Sequence, residues 1–311
     1  MNLHEDIRNK ALQLGFSHCG FAKAEPLESL RPFYTKFTGQ KQHAGMDYLE
    51  RYTEQRLHPE LLLPGVRTVI ALLMNYYPEE VIPEKNNFII AKYAYGGDYA
   101  PFIKEQLKRL AAFLDSSVPG SRSRIFIDSG PVLEKTWAQR CGVGWQGKHT
   151  VVINEREGSF FFIGIILTTH HLEPDEPERD HCGNCTRCID ACPTDALHTP
   201  YQLEINRCLS YHTIVNRGEV PSAIRGRFRH RIFGCDICQD VCPFNRVAKP
   251  HRESHFLPLP ALMALRKPEW LSMKEEEFMG IFCHSEIKRT GYQTLKRNME
   301  LAGETPEPAE N

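Results

Sequence analysis

The chain has 311 residues, 41% hydrophobic and 25% charged, an ordinary balance for a globular protein with room for two compact domains. Lysine and arginine number 38 against 39 aspartate and glutamate, so no chain-wide positive field marks a nucleic-acid binder, and any such surface has to be a local patch. The longest apolar stretch, residues 160–167, falls far short of the roughly 20 residues a membrane span needs, and the N-terminus has no apolar signal core, so a cytoplasmic protein without a membrane partner is expected.

In chain order, Ile7, Ala11, Leu12 and Leu14 recur between charges and predict an amphipathic helix over residues 4–14. Residues 17–24 and 67–76 read as strands, the second fully buried, and 88–93 as a further one. Residues 102–114 carry the helical period, with Leu107, Leu110, Ala111 and Leu114 on one side. A short strand at 124–127 ends in Asp128-Ser-Gly-Pro131, and a helix over 132–140 follows, with Pro131 suited to its first turn. Residues 149–153 and 159–168 read as a paired hairpin. Helices and strands mix without a clean βαβ alternation, so the fold class expected is α+β, with a first domain over 1–170. Residues 169–181 read as a polar, acidic linker into a cysteine-rich domain over 171–255. A short segment at 256–300 with about two helices follows, then a disordered acidic tail at 301–311.

Eight of the eleven cysteines lie between Cys182 and Cys242, and such clustering in a reducing compartment points to metal rather than disulfides. Cys182, Cys185, Cys188 and Cys192-Pro193 reproduce the bacterial ferredoxin run of two, two and three intervening residues ending in Cys-Pro. A split copy follows at Cys208, then Cys235, Cys238 and Cys242-Pro243. In two-cluster ferredoxins the fourth cysteine of each run ligates the other cluster. Crossing them here assigns Cys182, Cys185, Cys188 and Cys242 to one [4Fe–4S] cluster, and Cys192, Cys208, Cys235 and Cys238 to a second. Zinc is the alternative, since paired Cys-x-x-Cys units also build tetrahedral sites. It leaves the third cysteine of the first run and the repeated Cys-Pro ending unexplained. Clusters carry electrons singly, so the N-terminal half has to hold whatever consumes them.

Gly142-Val-Gly144-Trp-Gln-Gly147-Lys148-His149 satisfies G-x-G-x-x-G and nearly a P-loop. A helix precedes it and a strand follows, the reverse of the Rossmann order, and His149 stands where Ser or Thr would bind magnesium. Gly142 reads more simply as a helix C-cap. Asp128, at a strand end before a Ser-Gly-Pro turn, is the candidate catalytic carboxylate; the alternative is a cap on the helix near Pro131. Glu134, Lys135 and Arg140 read as solvated helix faces, and Cys141 as a small packed residue. Arg217, Arg225, Arg227, Arg229 and Arg231, with Phe228 interleaved, form a candidate phosphate-contacting surface; a solvated basic face is the alternative.

Asp128-Ser-Gly-Pro-Val-Leu-Glu134, Cys141 to Thr150, Tyr93-Ala-Tyr-Gly-Gly-Asp-Tyr99, Leu61-Leu-Leu-Pro-Gly65 and both cysteine runs together resemble the epoxyqueuosine reductase family over roughly residues 1–300. The resemblance implies an N-terminal cobalamin-binding domain, a ferredoxin-like two-cluster domain and a short helical C-terminus. It implies reduction of epoxyqueuosine to queuosine at the tRNA wobble position, with electrons passing from an external one-electron donor through the clusters to base-off cobalamin. Asp128 matches the family's proposed general acid, a role worth about 10²–10⁴-fold in rate. By the same carry-over Arg51, Lys148, His149, Thr150 and Val152 are candidate cobalamin contacts, and the arginine segment, Arg225, Arg227, Arg229 and Arg231, is the candidate tRNA surface. Many members continue into a helical-repeat extension that contacts tRNA, and residues 256–300 show no such repeat. No oligomer interface is readable, so a monomer is expected. The other readings are a cobalamin-dependent reductase of a small substrate, as in the similar reductive dehalogenases, and a two-cluster electron carrier.

Overall fold

The computed structural model describes residues 3–303, so the predicted acidic tail from 304 onward lies outside the described residues, while 301–303 complete the last helix. Its strands among the described residues are β1 (His18–Lys23), β2 (Thr68–Asn75), β3 (Ile89–Ile90), β4 (Ser123–Phe126), β5 (Trp145–Gln146), β6 (Val152–Ile153), β7 (Phe161–Thr168) and β8 (Arg231–Phe233). Helices and strands are mixed, as expected, and the chain divides into two compact units.

The first unit comprises 1–75, 99–185 and 244–248. Its centre is a four-stranded antiparallel sheet in the order β1-β2-β7-β4. Every residue of β2 but the last is buried, because helices cover both sheet faces. Val69, Ala71 and Leu73 share a core with Ile165 and Leu167 of β7 and with Trp137 and Ala138 of α5 (Glu134–Arg140). On the other face lie α1 (Leu3–Gln13) and α4 (Tyr99–Ser117). There Gly164 of β7 lets Leu107 approach so closely that a Cβ would stand 2.8 Å from it. Truncating a fully buried tryptophan such as Trp137 costs about 3–5 kcal/mol, so this sheet–helix seam fixes where the next loop emerges. Two shorter helices, α2 (Arg31–Gly39) and α3 (Thr53–Leu57), complete the unit.

The expected hairpin between 149–153 and 159–168 does not form. β6 pairs instead with β5, Gln146 opposite Val152, and β7 pairs with β2 and β4. Ten consecutive apolar or small residues suit a central strand flanked on both edges better than a two-stranded ribbon. Residues 169–181 are not a loose linker: Asp175 accepts from the Phe21 N–H at 2.9 Å and from Arg8 at 2.6 Å, which straps the segment along the β1 edge.

The second unit comprises 76–98, 186–243 and 249–311. It therefore cuts across the consecutive domains expected at 1–170, 171–255 and 256–300. The cysteine runs form two like turns, α6 (Arg187–Asp190) and α9 (Ile237–Asp240), each with one cysteine inside and the next just beyond. Between them come α7 (Leu209–Ile214) and α8 (Ser222–Arg225), then β8, parallel to β3. The C-terminal part holds α10 (Pro260–Ala264), α11 (Lys267–Ser272), α12 (Glu275–Phe282) and α13 (Tyr292–Gly303), more helices than the two expected. They bury Trp270, Phe278, Phe282 and Leu295 in one core with Phe228, Ile232 and Phe233. Asn298 of α13 donates to the Thr213 and Ile232 carbonyls at 2.8 Å each, so the last helix pins the insertion between Cys208 and Cys235.

Candidate active site

Asp128 lies two residues past the end of β4 and does not cap the next helix, whose N-cap is Leu133. Ser129 N–H reaches the Ile127 carbonyl at 2.5 Å, making Asp128 the middle residue of a three-residue turn with φ +54°. Aspartate tolerates this left-handed region better than most residues, though the conformation still costs about 1–3 kcal/mol. The carboxylate is exposed, and its Oδ2 accepts from the Tyr99 hydroxyl at 2.5 Å. Tyr99 is itself held flat against Phe162, ring centroids 4.2 Å apart and nearly parallel. A strained turn and an aromatic platform thus present one carboxylate in a fixed place.

Beyond the turn, the start of α5 lines a cavity of about 480 Å³. Phe33, Tyr34 and Phe37 of α2 form an apolar wall, and Arg56, Glu134, Lys135 and Gln146 supply polar atoms. Glu134 is half-buried, not solvated. Burial pushes its carboxyl up to about 7; the Asp128 charge adds to this, while its own backbone N–H, Arg56 and Lys135 oppose it. Arg56 is buried, with Nε 3.4 Å from the Arg51 carbonyl and Nη2 3.4 Å from the Tyr48 carbonyl. Arg56 escaped the sequence reading because it lies in no motif; Tyr99 and Gln146 sat inside quoted motifs but nothing in their spacing marked a role, and Glu134, likewise inside one, carried the polar pattern of a surface helix.

The turn between β5 and β6 carries three of the candidate cofactor contacts, Lys148, His149 and Thr150, and Val152 opens β6. Gly147 N–H donates to Val151 O and Thr150 N–H to Gly147 O, with Thr150 at φ +67°. His149 is buried, its Nδ1 accepts from the Val151 N–H, and its Nε2 has no hydrogen-bond partner. Burial, with help from Lys135, pushes its imidazole down to about 4, so it stays neutral. Val152 is packed in the core, and Arg51 is exposed. Lys148 differs from the others: its ammonium is buried and bound to the Gly183 and Cys185 carbonyls at 2.6 and 3.0 Å. Cys141 is the C-cap of α5, and Gly142, expected to cap it, follows as the left-handed residue at φ +69° that ends the helix.

No disulfide joins the eleven cysteines among the described residues. Cys192, Cys208, Cys235 and Cys238 all belong to the second unit, and the first three lie within electrostatic reach of Cys238. Burial first, then the neighbouring thiols, drives Cys238 well above the ordinary thiol range and Cys235 to about 12. Four cysteines gathered around Cys238 fit a group that binds them together as thiolates. Among the described residues no three His, Cys, Asp or Glu side chains gather tightly enough for one ion; a cubane spreads its four thiolates around four irons.

The arginine segment splits. Arg225, Arg227 and Arg229 are exposed. Arg231 is not available to a partner as expected: it is buried and paired with Glu84 at 2.7 Å. Arg217 is likewise engaged, donating to the Ile214 and Arg289 carbonyls at 2.6 Å each.

With this geometry in view, the chain aligns with an epoxyqueuosine reductase from Cellulophaga algicola at 43% identity over 299 residues, 96% of this chain and 97% of that relative. The chain belongs to the epoxyqueuosine reductase family. The Escherichia coli member is 34% identical over 305 residues, 96% of this chain and 80% of that one. Residues 56–129 match the family described as epoxyqueuosine reductase QueG, DUF1730, and 181–245 match the 4Fe-4S double cluster binding domain, a span that contains all eight clustered cysteines. Among solved structures, an epoxyqueuosine reductase with an epoxyqueuosine-modified tRNA-Tyr stem loop superposes with a TM-score of 0.89 at 30% identity, covering 96% of this chain and 80% of that one. The Streptococcus thermophilus enzyme gives 0.88 at 29%, covering 97% and 81%. A Bacillus subtilis structure at 30% identity and TM-score 0.88, covering 96% and 80%, has its catalytic aspartate loop swung out of the active site.

Proposed function

We propose that this chain reduces epoxyqueuosine to queuosine in tRNA, with two [4Fe–4S] clusters, cobalamin and Asp128 as the working parts. Near-full-length identity of 43% to a reductase of the same length carries the reading. The reaction adds two electrons and two protons to the epoxide, giving an alkene and water. The N-terminal mixed unit is the cobalamin-binding and catalytic part, and the ferredoxin-like cysteine segment delivers electrons singly from an external donor. Cys182, Cys185, Cys188 and Cys242 hold one cluster, and Cys192, Cys208, Cys235 and Cys238 the other.

Cobalamin, when bound, supplies a strongly reducing, nucleophilic cobalt centre. The buried, unpartnered Nε2 of His149 beside the left-handed Thr150 suits a large polar-rimmed ligand, and Arg51, His149, Thr150 and Val152 are the residues assigned to it; Lys148, the fifth candidate, drops out because its ammonium is taken up by the Gly183 and Cys185 carbonyls. Asp128 delivers a proton to the departing oxygen, and Tyr99, by holding Oδ2, leaves Oδ1 for that transfer. Arg225, Arg227 and Arg229 are exposed and contact tRNA phosphates. The work is that of a cytoplasmic enzyme acting as a monomer.

Anaerobically reconstituted protein, supplied with cobalamin, a low-potential reductant and an epoxyqueuosine-bearing stem loop, should form queuosine detectable by nucleoside mass spectrometry. Persistence of epoxyqueuosine with both clusters and cobalamin loaded would refute the assignment.

A further inference from the structure

We propose that Trp145 and Lys148 set the reduction potential of the cluster held in part by Cys182 and Cys185, one as hydrogen-bond donor to sulfur and the other as a buried counter-cation. The inference rests on the cluster assignment above and adds a role to two residues outside the ligand set.

Trp145 is fully buried, and its Nε1–H lies 3.5 Å from the Cys182 sulfur. Indole nitrogen is a donor only, so the sulfur must accept. The ring has little freedom: Phe244 meets it edge-on at 4.8 Å and His181 tilts against it at 4.8 Å. A donor locked onto a thiol sulfur by its ring contacts matches an atom that carries charge.

Lys148 strengthens the argument independently. Its ammonium is 8% exposed and touches the Gly183 and Cys185 carbonyls, which are dipoles rather than anions. No carboxylate pairs with it among the described residues. A cation withdrawn from water without an opposite charge beside it is costly, and an anionic group bound by the Cys182–Cys185 loop would offset that cost. A cubane with four thiolates is anionic and becomes more so on accepting an electron. Hydrogen bonds to sulfur and net charge nearby are among the levers that set cluster potentials; the indole N–H and the ammonium both favour the reduced form, against the Asp180 carboxylate, which accepts from the Cys182 backbone N–H at 2.7 Å. The same contacts fix the Cys182–Cys185 loop, with Gly183 at φ +49° presenting its carbonyl to the ammonium.

The test is potentiometric titration of anaerobically reconstituted full-length protein followed by electron paramagnetic resonance, with iron counted on the same samples. Trp145→Phe should retain about eight irons, while one of the two clusters becomes harder to reduce. At fixed ambient potential its reduced-to-oxidised ratio should fall about tenfold, or about 59 mV for one electron; the other cluster should not move. Lys148→Gln should shift the same cluster in the same direction. Full iron with unchanged potentials overturns the inference and leaves the cluster assignment standing. Wild-type protein with fewer than about seven irons sinks that assignment first. If Trp145→Phe loads poorly, the Lys148→Gln titration decides, and an unmoved potential there counts against the proposal.

Discussion

The Tyr99 hydroxyl donates a 2.5 Å hydrogen bond to Oδ2 of Asp128, joining the first residue of α4 to a turn that follows β4. Two separate elements therefore fix one carboxylate. Asn at position 128 tolerates the same left-handed backbone, so Asp128→Asn removes the acid while keeping the turn. Turnover of epoxyqueuosine tRNA should fall by about 10²-fold or more with both clusters intact. Tyr99→Phe keeps the ring on Phe162 and loses only the hydroxyl, and a hydrogen bond to a charged group is worth about 1.5–3 kcal/mol. A fall in kcat of roughly tenfold is expected if that hydrogen bond's energy reaches the transition state. Single-turnover assays that find either variant as fast as wild type would remove Asp128, or its positioning by Tyr99, from the mechanism.

Glu134 gives a pH signature. Its folded-state pKa is raised from 4.5 to about 7, so between those values the folded chain keeps a proton that the unfolded chain has released. The stability this contributes is full below about pH 4.5 and is lost as pH rises through about 7. Glu134→Gln cannot ionise and escapes that loss. Its Tm should match wild type near pH 5 and exceed it by a few degrees near pH 8, the scale on which about 1 kcal/mol moves a domain of this size. Glu286, also raised to about 7 in the second unit, tilts both curves alike and cancels from the difference. A Tm difference that does not change with pH would show that Glu134 is ionised in the folded protein.

Chemistry that resides in spacing was legible before the fold was seen. The cysteine runs and the Asp-Ser-Gly-Pro turn depend on local sequence, and so do β2 and α4, where a buried strand and an amphipathic helix leave strong patterns. What remained hidden was set by partners far away in sequence. β7 was assigned to the wrong neighbour because an apolar strand does not encode which edge it joins. Arg231 looked like its exposed neighbours until Glu84, 147 residues earlier, was found against it. Lys148 sat in a glycine-rich stretch that pointed to a ligand, and its real anchors are carbonyls 35 and 37 residues on.

Iron content offers a check on the crossed ligand sets. Cys238 belongs to the second set, whose members lie in one unit. Cys238→Ala should lower iron from about eight to about four per chain and leave one four-iron electron paramagnetic resonance signal. Cys242→Ala, two positions past the end of α9, should remove the other signal instead. If both substitutions extinguish the same signal, the crossing is wrong, although the eight-cysteine assignment survives.

The arginine segment separates into residues that can meet phosphate and residues that cannot. Arg225, Arg227 and Arg229 are exposed, so replacing all three with alanine should weaken stem-loop binding and flatten its salt dependence. Each lost phosphate contact removes about 0.7–0.9 from the slope of log affinity against log salt, and three contacts lower it by about 2. kcat at saturating tRNA should hold, because these groups position the substrate and do not touch the epoxide. Arg231→Ala should do the opposite: it strips Glu84 of its partner at 2.7 Å, lowering Tm while leaving the salt slope unchanged. A triple variant with wild-type slope would place the tRNA elsewhere on the chain, and a shallower slope for Arg231→Ala would show that this guanidinium leaves Glu84 to bind phosphate.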